Sequence, residues 1–415
     1  MLLLVQSLVS LRSGFAYLRY LRASLERRPG NYQPRVTVIV PVKGIDAGFD
    51  SNLAAFLTQD YPGYQLIFAV ASREDAAYDH LVQVIAATTP ASQTRHRSSD
   101  DSPTMDPRPT LVVAGYSDAC GEKVHNLRRG LAAVDLGTDV LVFADIDATP
   151  KGDWLRSLVA PLADPAVTVS TGFRWYLPGP GFTSRLRAAW DTTVATMLGD
   201  HGENFAWGGS TAIRAAEFQR LRIAEEYWSG TVSDDYALTR AVRDAHGKIR
   251  FEPRCLVASR EDSSFADFFR WANRQVVLTR VYNTRLWWMG FVSYLLYAAP
   301  FLLGLALILW PSTLSPTSSA ATLRAGILAT LTVIVALGAA KGATRTVVAR
   351  ELFPEESETL VRYGSCYWQL AILVPWLMLA NFLVSACSRR IEWRGVVYDL
   401  RSRTKVKVVR RGPEI

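Results

Sequence analysis

Between residues 34 and 278, short apolar runs alternate with stretches in which apolar residues recur at helical spacing. The run RVTVIVPV (35–42) is rich in β-branched residues and closes on Pro41 and Lys43-Gly44. It predicts a buried strand that ends in a loop. SNLAAFLTQDYPGY then shows helical spacing and stops at Pro62-Gly63, and QLIFAVAS is a second strand. The alternation continues with DAAYDHLVQVIAATT as helix, TLVVAG as strand, KVHNLRRGLAAV as helix and DVLVFADID as strand. Strands and helices alternating in this way predict an α/β domain with a mainly parallel sheet covered on both faces. In such sheets ligands bind beyond the carboxyl ends of the strands. SRED (72–75), GEK (121–123) and DIDATP (145–150) are therefore the loops in which to look for chemistry.

Past residue 285 the pattern changes. Residues 286–323 carry no charge, and 289–310 alone satisfy the roughly 20 apolar residues that a helix needs to cross a bilayer. Two further uncharged stretches follow, 325–340 and 363–388. The first is short, and the second contains Pro375, which marks it as a candidate for a broken or re-entrant segment. FADFFRWANRQVVLTRVYNTRLWWMGF (265–291) interleaves Arg270, Arg274, Arg280 and Arg285 with aromatic and aliphatic residues, as an interfacial amphipathic helix does. The first 30 residues are apolar but interrupted by Arg12, Arg19 and Arg22, and read as an uncleaved anchor or an interfacial helix. These boundaries give an anchor at 1–30, an α/β domain at 31–264, an interfacial helix at 265–288, membrane helices at 289–388 and a basic tail at 389–415.

Charge sharpens this picture. The formal net charge is +8, and the excess is concentrated in ERR (26–28) and in the tail beginning SRRIEWRG, beside the apolar segments. That placement favours the cytoplasmic face and anionic head groups. No nucleic-acid-binding module accompanies the basic residues, so no nucleic-acid partner is expected. Cys120, Cys255, Cys366 and Cys387 form no C-x-x-C pair, which argues against a zinc site and suits a reducing compartment. The Ser-, Pro- and charge-rich stretch at about 90–109 reads as a surface insertion.

The acidic residues carry the candidate chemistry. Asp145 and Asp147 follow VLVF, and strand alternation sets both carboxylates on one side of the chain, about 7 Å apart along the backbone. They suit a hard divalent cation such as Mg²⁺ or Mn²⁺ that leaves positions for phosphate oxygens. They equally suit a turn, with one of them capping a helix that begins near residue 152. Ser233-Asp234-Asp235 opens a stretch of helical spacing and reads either as a helix cap or as a source of a general base. In HGENFAWGGSTAIR (201–214), Gly208 and Gly209 permit close backbone approach to a ligand, and Ser210 and Thr211 are expected to cap a following helix.

Taken in order, VTVIVPVKG, QDYPGYQLIFAV, REDAA, GEKVHNLRRGL, FADIDATP, WGGSTAIR, SDDYALTR, FRW and IEWRGVVYDL resemble the family 2 and family 21 glycosyltransferases, most closely the ceramide glucosyltransferase-like branch with its bacterial lipid and hopanoid enzymes. The resemblance runs from about residue 36 to 400. It implies a glycosyltransferase A-type nucleotide-sugar domain followed by transmembrane helices, held in a bacterial inner membrane with the catalytic domain in the cytoplasm. It further implies that Glu74 and Asp75 face the uracil and ribose of a UDP-sugar and that Lys123 and Asn126 contact the nucleotide. Asp145 and Asp147 then match the metal and sugar-nucleotide aspartates. Asp235 matches the general base, and Asp234 stands where the family usually has Glu. Gly208 and Gly209 line the sugar and acceptor pocket. The family's last motif, Gln or Arg followed two residues later by Arg-Trp, is kept here as Arg270 and Trp271 but begins with Asp267. One base opposite a metal-bound diphosphate implies displacement with inversion, from a UDP-hexose or N-acetylhexosamine to a membrane lipid such as a ceramide or hopanoid. The alternatives are a processive polysaccharide synthase and, from another class, a non-catalytic nucleotide-sugar-binding membrane protein.

Overall fold

The computed structural model describes residues 2–27, 30–87, 108–309 and 318–412. Most of the insertion expected at about 90–109 lies outside the described residues. The strands in chain order are β1 (Val36–Pro41), β2 (Tyr64–Val70), β3 (Thr110–Val113), β4 (Val140–Ala144), β5 (Val167–Tyr176), β6 (Ser210–Arg214), β7 (Lys248–Ser259), β8 (Arg390–Trp393), β9 (Val396–Ser402) and β10 (Lys405–Arg411). The α-helices are α1 (Leu2–Glu26), α2 (Phe49–Leu57), α3 (Ala76–Ala87), α4 (Glu122–Gly130), α5 (Trp154–Val159), α6 (Phe182–Ala195), α7 (Ala215–Arg220), α8 (Asp234–Asp244), α9 (Phe265–Tyr282), α10 (Thr284–Leu309), α11 (Ser318–Leu352), α12 (Ser357–Tyr363), α13 (Cys366–Gln369) and α14 (Val374–Cys387).

Residues 24–174, 200–259 and 389–415 form one compact unit, built on a seven-stranded sheet of order β3-β2-β1-β4-β6-β5-β7. The first four strands are parallel, as the apolar runs predict, and β6 pairs antiparallel with β4. The two faces have different cores. One packs Val38, Val40 and Phe68 against Phe49, Phe56 and Trp154; the other packs Ile39 and Phe143 against Val124, Leu127 and Trp228. Strand side chains alternate between faces, so consecutive residues such as Val38 and Ile39 feed opposite cores.

Ser210 and Thr211 do not cap a helix. They lie in β6, where Ser210 pairs with Ala144 and Thr211 with Phe143. The run STAIR completes the sheet beside β4, and backbone pairing there prevails over a local cap. Ser210 Oγ instead accepts a hydrogen bond from Trp154 Nε1 at 2.8 Å.

Residues 1–23, 175–199 and 260–388 form the second unit. Helices α10 and α11 are long and apolar enough to cross a membrane. A third apolar pair, Cys366–Ile372 and Val374–Cys387, is bent by 61° just before Pro375. Proline interrupts the helical hydrogen-bond ladder, which accounts for a break at that position.

Residues 390–411, which read in sequence as a basic tail, fold as the three-stranded antiparallel sheet β10-β9-β8. Val396, Tyr398, Leu400 and Val406 bury one face of it, while Arg401, Lys405 and Lys407 stay exposed.

Candidate active site

At the carboxyl end of β4 the chain leaves the sheet as Asp145-Ile146-Asp147. Ile146 is buried and the two carboxylates turn to different cations. Asp145 pairs with Lys123 Nζ at 2.7 Å, and Asp147 is held by two nitrogens of Arg174, one at 3.2 Å. Neither caps α5, whose N-cap residue is Asp153. Lys123 lies in the first turn of α4, and its ammonium also reaches Asp234 Oδ1 at 3.2 Å. One lysine thus ties the end of β4 to the start of α8.

Burial alone would favour the neutral amine of Lys123. Asp145, then Asp234 and Asp235, outweigh it, and the pKa is raised. Burial likewise raises the Asp234 carboxyl to about 6, with Lys123 opposing and the charges of Asp235 and Asp145 adding to it. Asp147 behaves oppositely. Burial would raise it, but the charge and hydrogen bonds of Arg174, assisted by Arg394 and Lys123, hold it at about 2.

Asp234 and Asp235 are neighbours with different surroundings. Asp234 is 3% exposed, whereas Asp235 is only partly buried. Asp235 Oδ1 accepts hydrogen bonds from Tyr236 N at 2.7 Å and from the Ser233 hydroxyl. Ser233 is itself the N-cap of α8. The capping reading holds, since the serine caps the helix, and the two carboxylates stand at its mouth. Gly208 backs the same cluster. A Cβ there would run into Asp234 Oδ2 and Lys123 Nζ, so glycine is required for the ion pair to sit where it does. At Gly209 a Cβ would meet the ring of Trp207, on which the Arg174 guanidinium stacks at 5.3 Å.

A cleft of about 90 Å³ opens beside these groups, lined by Lys43, Lys123, Asn126, Asp145, Asp147 and Arg394 among others. A larger cavity, about 900 Å³, lies among α1, α10 and α11, where its lining is aliphatic apart from two threonines. It is lined by no charged group, whereas the smaller cleft is lined by several.

The remaining sequence candidates are distributed as follows. Asp75 is buried after β2, and its Oδ1 accepts from Gly44 N and Ala77 N, both at 2.9 Å, which fixes the loop after β1. Glu74 beside it is exposed. Asn126 is buried, donates to the Ala69 carbonyl at 3.3 Å, and its Oδ1 has no hydrogen-bond partner among the described residues. Arg270 and Trp271 belong to the second unit. Arg270 is exposed and pairs with Asp267 one helical turn earlier; Trp271 packs against Trp190 and Tyr176, with the Arg187 guanidinium 4.9 Å from its ring centroid. Asp267 also has a local function. Its backbone N donates to Ser264 Oγ at 3.1 Å, so it stands in the capping box of α9, which accounts for an acidic residue at that position.

Several groups at the cleft are not among the residues singled out from the sequence, although Lys43, Trp393, Arg394 and Tyr398 lie within the VTVIVPVKG and IEWRGVVYDL stretches that carry the resemblance. Lys43 pairs with Glu122 at 2.7 Å, Arg174 sits within a strand, and Trp393, Arg394 and Tyr398 arrive from the C-terminal sheet. Only the position of Lys43 directly after a predicted strand could have drawn attention to it.

A mainly parallel sheet with helices and with acidic and basic groups gathered beyond its strand ends makes this an α/β protein of the kind that binds ligands at those ends. The chain belongs to glycosyl transferase family 21, whose model matches residues 2–406. It is a nucleotide-sugar glycosyltransferase. Among solved structures it is similar to a mannosyltransferase from Pyrobaculum calidifontis in complex with GDP-Man and Mn²⁺, at 16% identity and a TM-score of 0.46, covering 93% of this chain and 98% of that one. It is also similar to glucosyl-3-phosphoglycerate synthase from Mycobacterium tuberculosis in complex with Mn²⁺, UDP and phosphoglyceric acid, at 16% identity and a TM-score of 0.37, covering 63% of this chain and 82% of that one.

Proposed function

We propose that the protein transfers a hexose or N-acetylhexosamine from a UDP-sugar to a membrane lipid, with inversion at the anomeric carbon. The observation that carries this reading is the Lys123 ammonium clamped between Asp145 and the buried Asp234, with the more accessible Asp235 next to them. A buried carboxylate locked to a lysine orders the site. An accessible one at a helix mouth can take the proton of an acceptor hydroxyl. Asp235 is accordingly the general base and Asp234 the group that positions Lys123.

The donor lies in the cleft. Lys123 faces its diphosphate, and the unsatisfied Oδ1 of Asn126 is available to an N–H of the nucleotide. Asp145 and Asp147 suit a divalent cation. Both offer hard oxygen ligands, and Asp147 stays ionised down to about pH 2. Among the described residues no three His, Cys, Asp or Glu side chains gather as a complete metal cage. An ion held by Asp145 and Asp147 would take its other ligands from phosphate oxygens and water, the usual manner of Mg²⁺ and Mn²⁺. When bound, it offsets the negative charge of the departing diphosphate.

The lipid acceptor is supported by the two apolar helices that follow the catalytic domain in sequence. Membranes containing the protein, incubated with a panel of labelled UDP-sugars and then extracted, yield one labelled lipid. That product disappears with a chelator and with Asp235→Asn. Label found only in a water-soluble polymer points to a polysaccharide synthase instead, and no label from any donor to a non-catalytic binding protein.

A further inference from the structure

The turn of the C-terminal hairpin has an unusual residue in it. Trp393 pairs with Val396, so Arg394 and Gly395 form a two-residue loop, and both have positive φ, 45° and 76°. This is the pattern of a type I′ turn. Glycine accepts it freely, whereas arginine carries a steric penalty there. Residues held in such conformations cluster at functional sites.

The Arg394 guanidinium faces the cleft of the catalytic sheet. Its Nη1 donates to the Lys43 carbonyl at 2.8 Å, and both terminal nitrogens reach the Asp46 carboxylate. The rest of the small sheet is fastened to the same rim. Tyr398 Oη accepts from Glu122 N at 3.2 Å, and Arg411 donates to the Ser117 carbonyl at 2.7 Å and pairs with Asp118 at 2.8 Å. Trp393, Arg394 and Tyr398 line the cleft together with Lys123, Asp145 and Asp147.

The ion pairs around the cleft differ in how firmly they are held. Lys123 is shared between two carboxylates, and the side chains of Lys43 and Glu122 are 18% and 8% exposed. Arg174 is 13% exposed and bidentate on Asp147. The Arg394–Asp46 pair is more open, at 32% and 46%. A solvated ion pair contributes little, so it is the one most readily exchanged for a stronger partner. Guanidinium binds phosphate oxygens through the same two parallel N–H donors that it offers a carboxylate, and a diphosphate brings more negative charge than Asp46 alone.

We propose that the Trp393–Gly395 turn is a wall of the donor site and that Arg394 leaves Asp46 to bind the diphosphate of the nucleotide sugar. This rests on the reading of the cleft as a UDP-sugar site. The test uses the full-length protein in detergent and measures UDP by calorimetric titration and uridine by NMR titration. Arg394→Asn keeps a residue that tolerates left-handed backbone, so the turn is preserved. It is expected to weaken UDP at least ten-fold and leave uridine unchanged, while Arg394→Lys retains part of the UDP affinity. Equal loss of UDP and uridine makes the hairpin a mere support and overturns the proposal, as does unchanged UDP binding in Arg394→Asn. Wild-type protein that binds neither ligand overturns the reading of the cleft itself, and this proposal with it.

Discussion

Lys123 keeps apart two carboxylates, Asp145 and Asp234, while satisfying both. The arrangement has a pH signature. The folded-state pKa of Asp234 is raised, from 3.8 to about 6, so its contribution to stability is full below about pH 3.8 and is lost as pH rises through 6. Lys123 is the charge that limits that rise. In Lys123→Met the pKa of Asp234 moves above 6, and the variant loses Tm more steeply than wild type between pH 5 and 8 in thermal melts. Parallel slopes for the two proteins would show that the lysine is not coupled to Asp234. At this scale the sequence showed the acidic residues but not the side chains they pair with. D-x-D and S-D-D are visible as local patterns, whereas the lysine that joins them comes from α4, and the contact exists only once β4 and α8 converge at one end of the sheet. Arg174 was hidden for a different reason. An arginine within a strand of mixed polarity reads as an outward-facing residue until the stacking on Trp207 is seen.

The alternation of apolar runs and helical spacing was the legible part of the elements. β1 to β4 and α2 to α4 fall where the periodicity sets them, because strands buried on both faces and amphipathic helices leave strong patterns. The C-terminal sheet left none. The many Lys and Arg residues look like a solvated tail, yet Val396, Tyr398, Leu400 and Val406 among them are buried. That sheet constrains the membrane segments. Arg394 contacts Lys43 and Arg411 contacts Asp118, so the chain returns after its apolar helices to the unit that holds the catalytic sheet. We propose an even number of crossings, with α10 and α11 spanning and the pair bent by 61° just before Pro375 entering and leaving by one face. With the exposed Cys387 replaced by Ser, a cysteine at the exposed position 403 should resist an impermeant maleimide in intact cells and react after permeabilisation. Labelling in intact cells would require an odd number of crossings.

For the molecule as a whole, a net charge of +8 placed beside apolar segments and a charge-paired cleft on an α/β sheet are two halves of one function. In the proposed function the first would hold the enzyme at a lipid acceptor, and the second would handle a water-soluble donor. In the proposed reading Asp235, the more accessible carboxylate of the Asp234-Asp235 pair, serves as the one base of a single displacement, with no side chain assigned to a covalent sugar intermediate. The anomeric configuration of the product tests this account most directly. Purified protein in liposomes of the host lipid, given an α-linked UDP-sugar, should yield a lipid-linked sugar whose anomeric proton coupling in NMR is that of the β-glycoside. An α-linked product, or sugar found on no lipid at all, would contradict it.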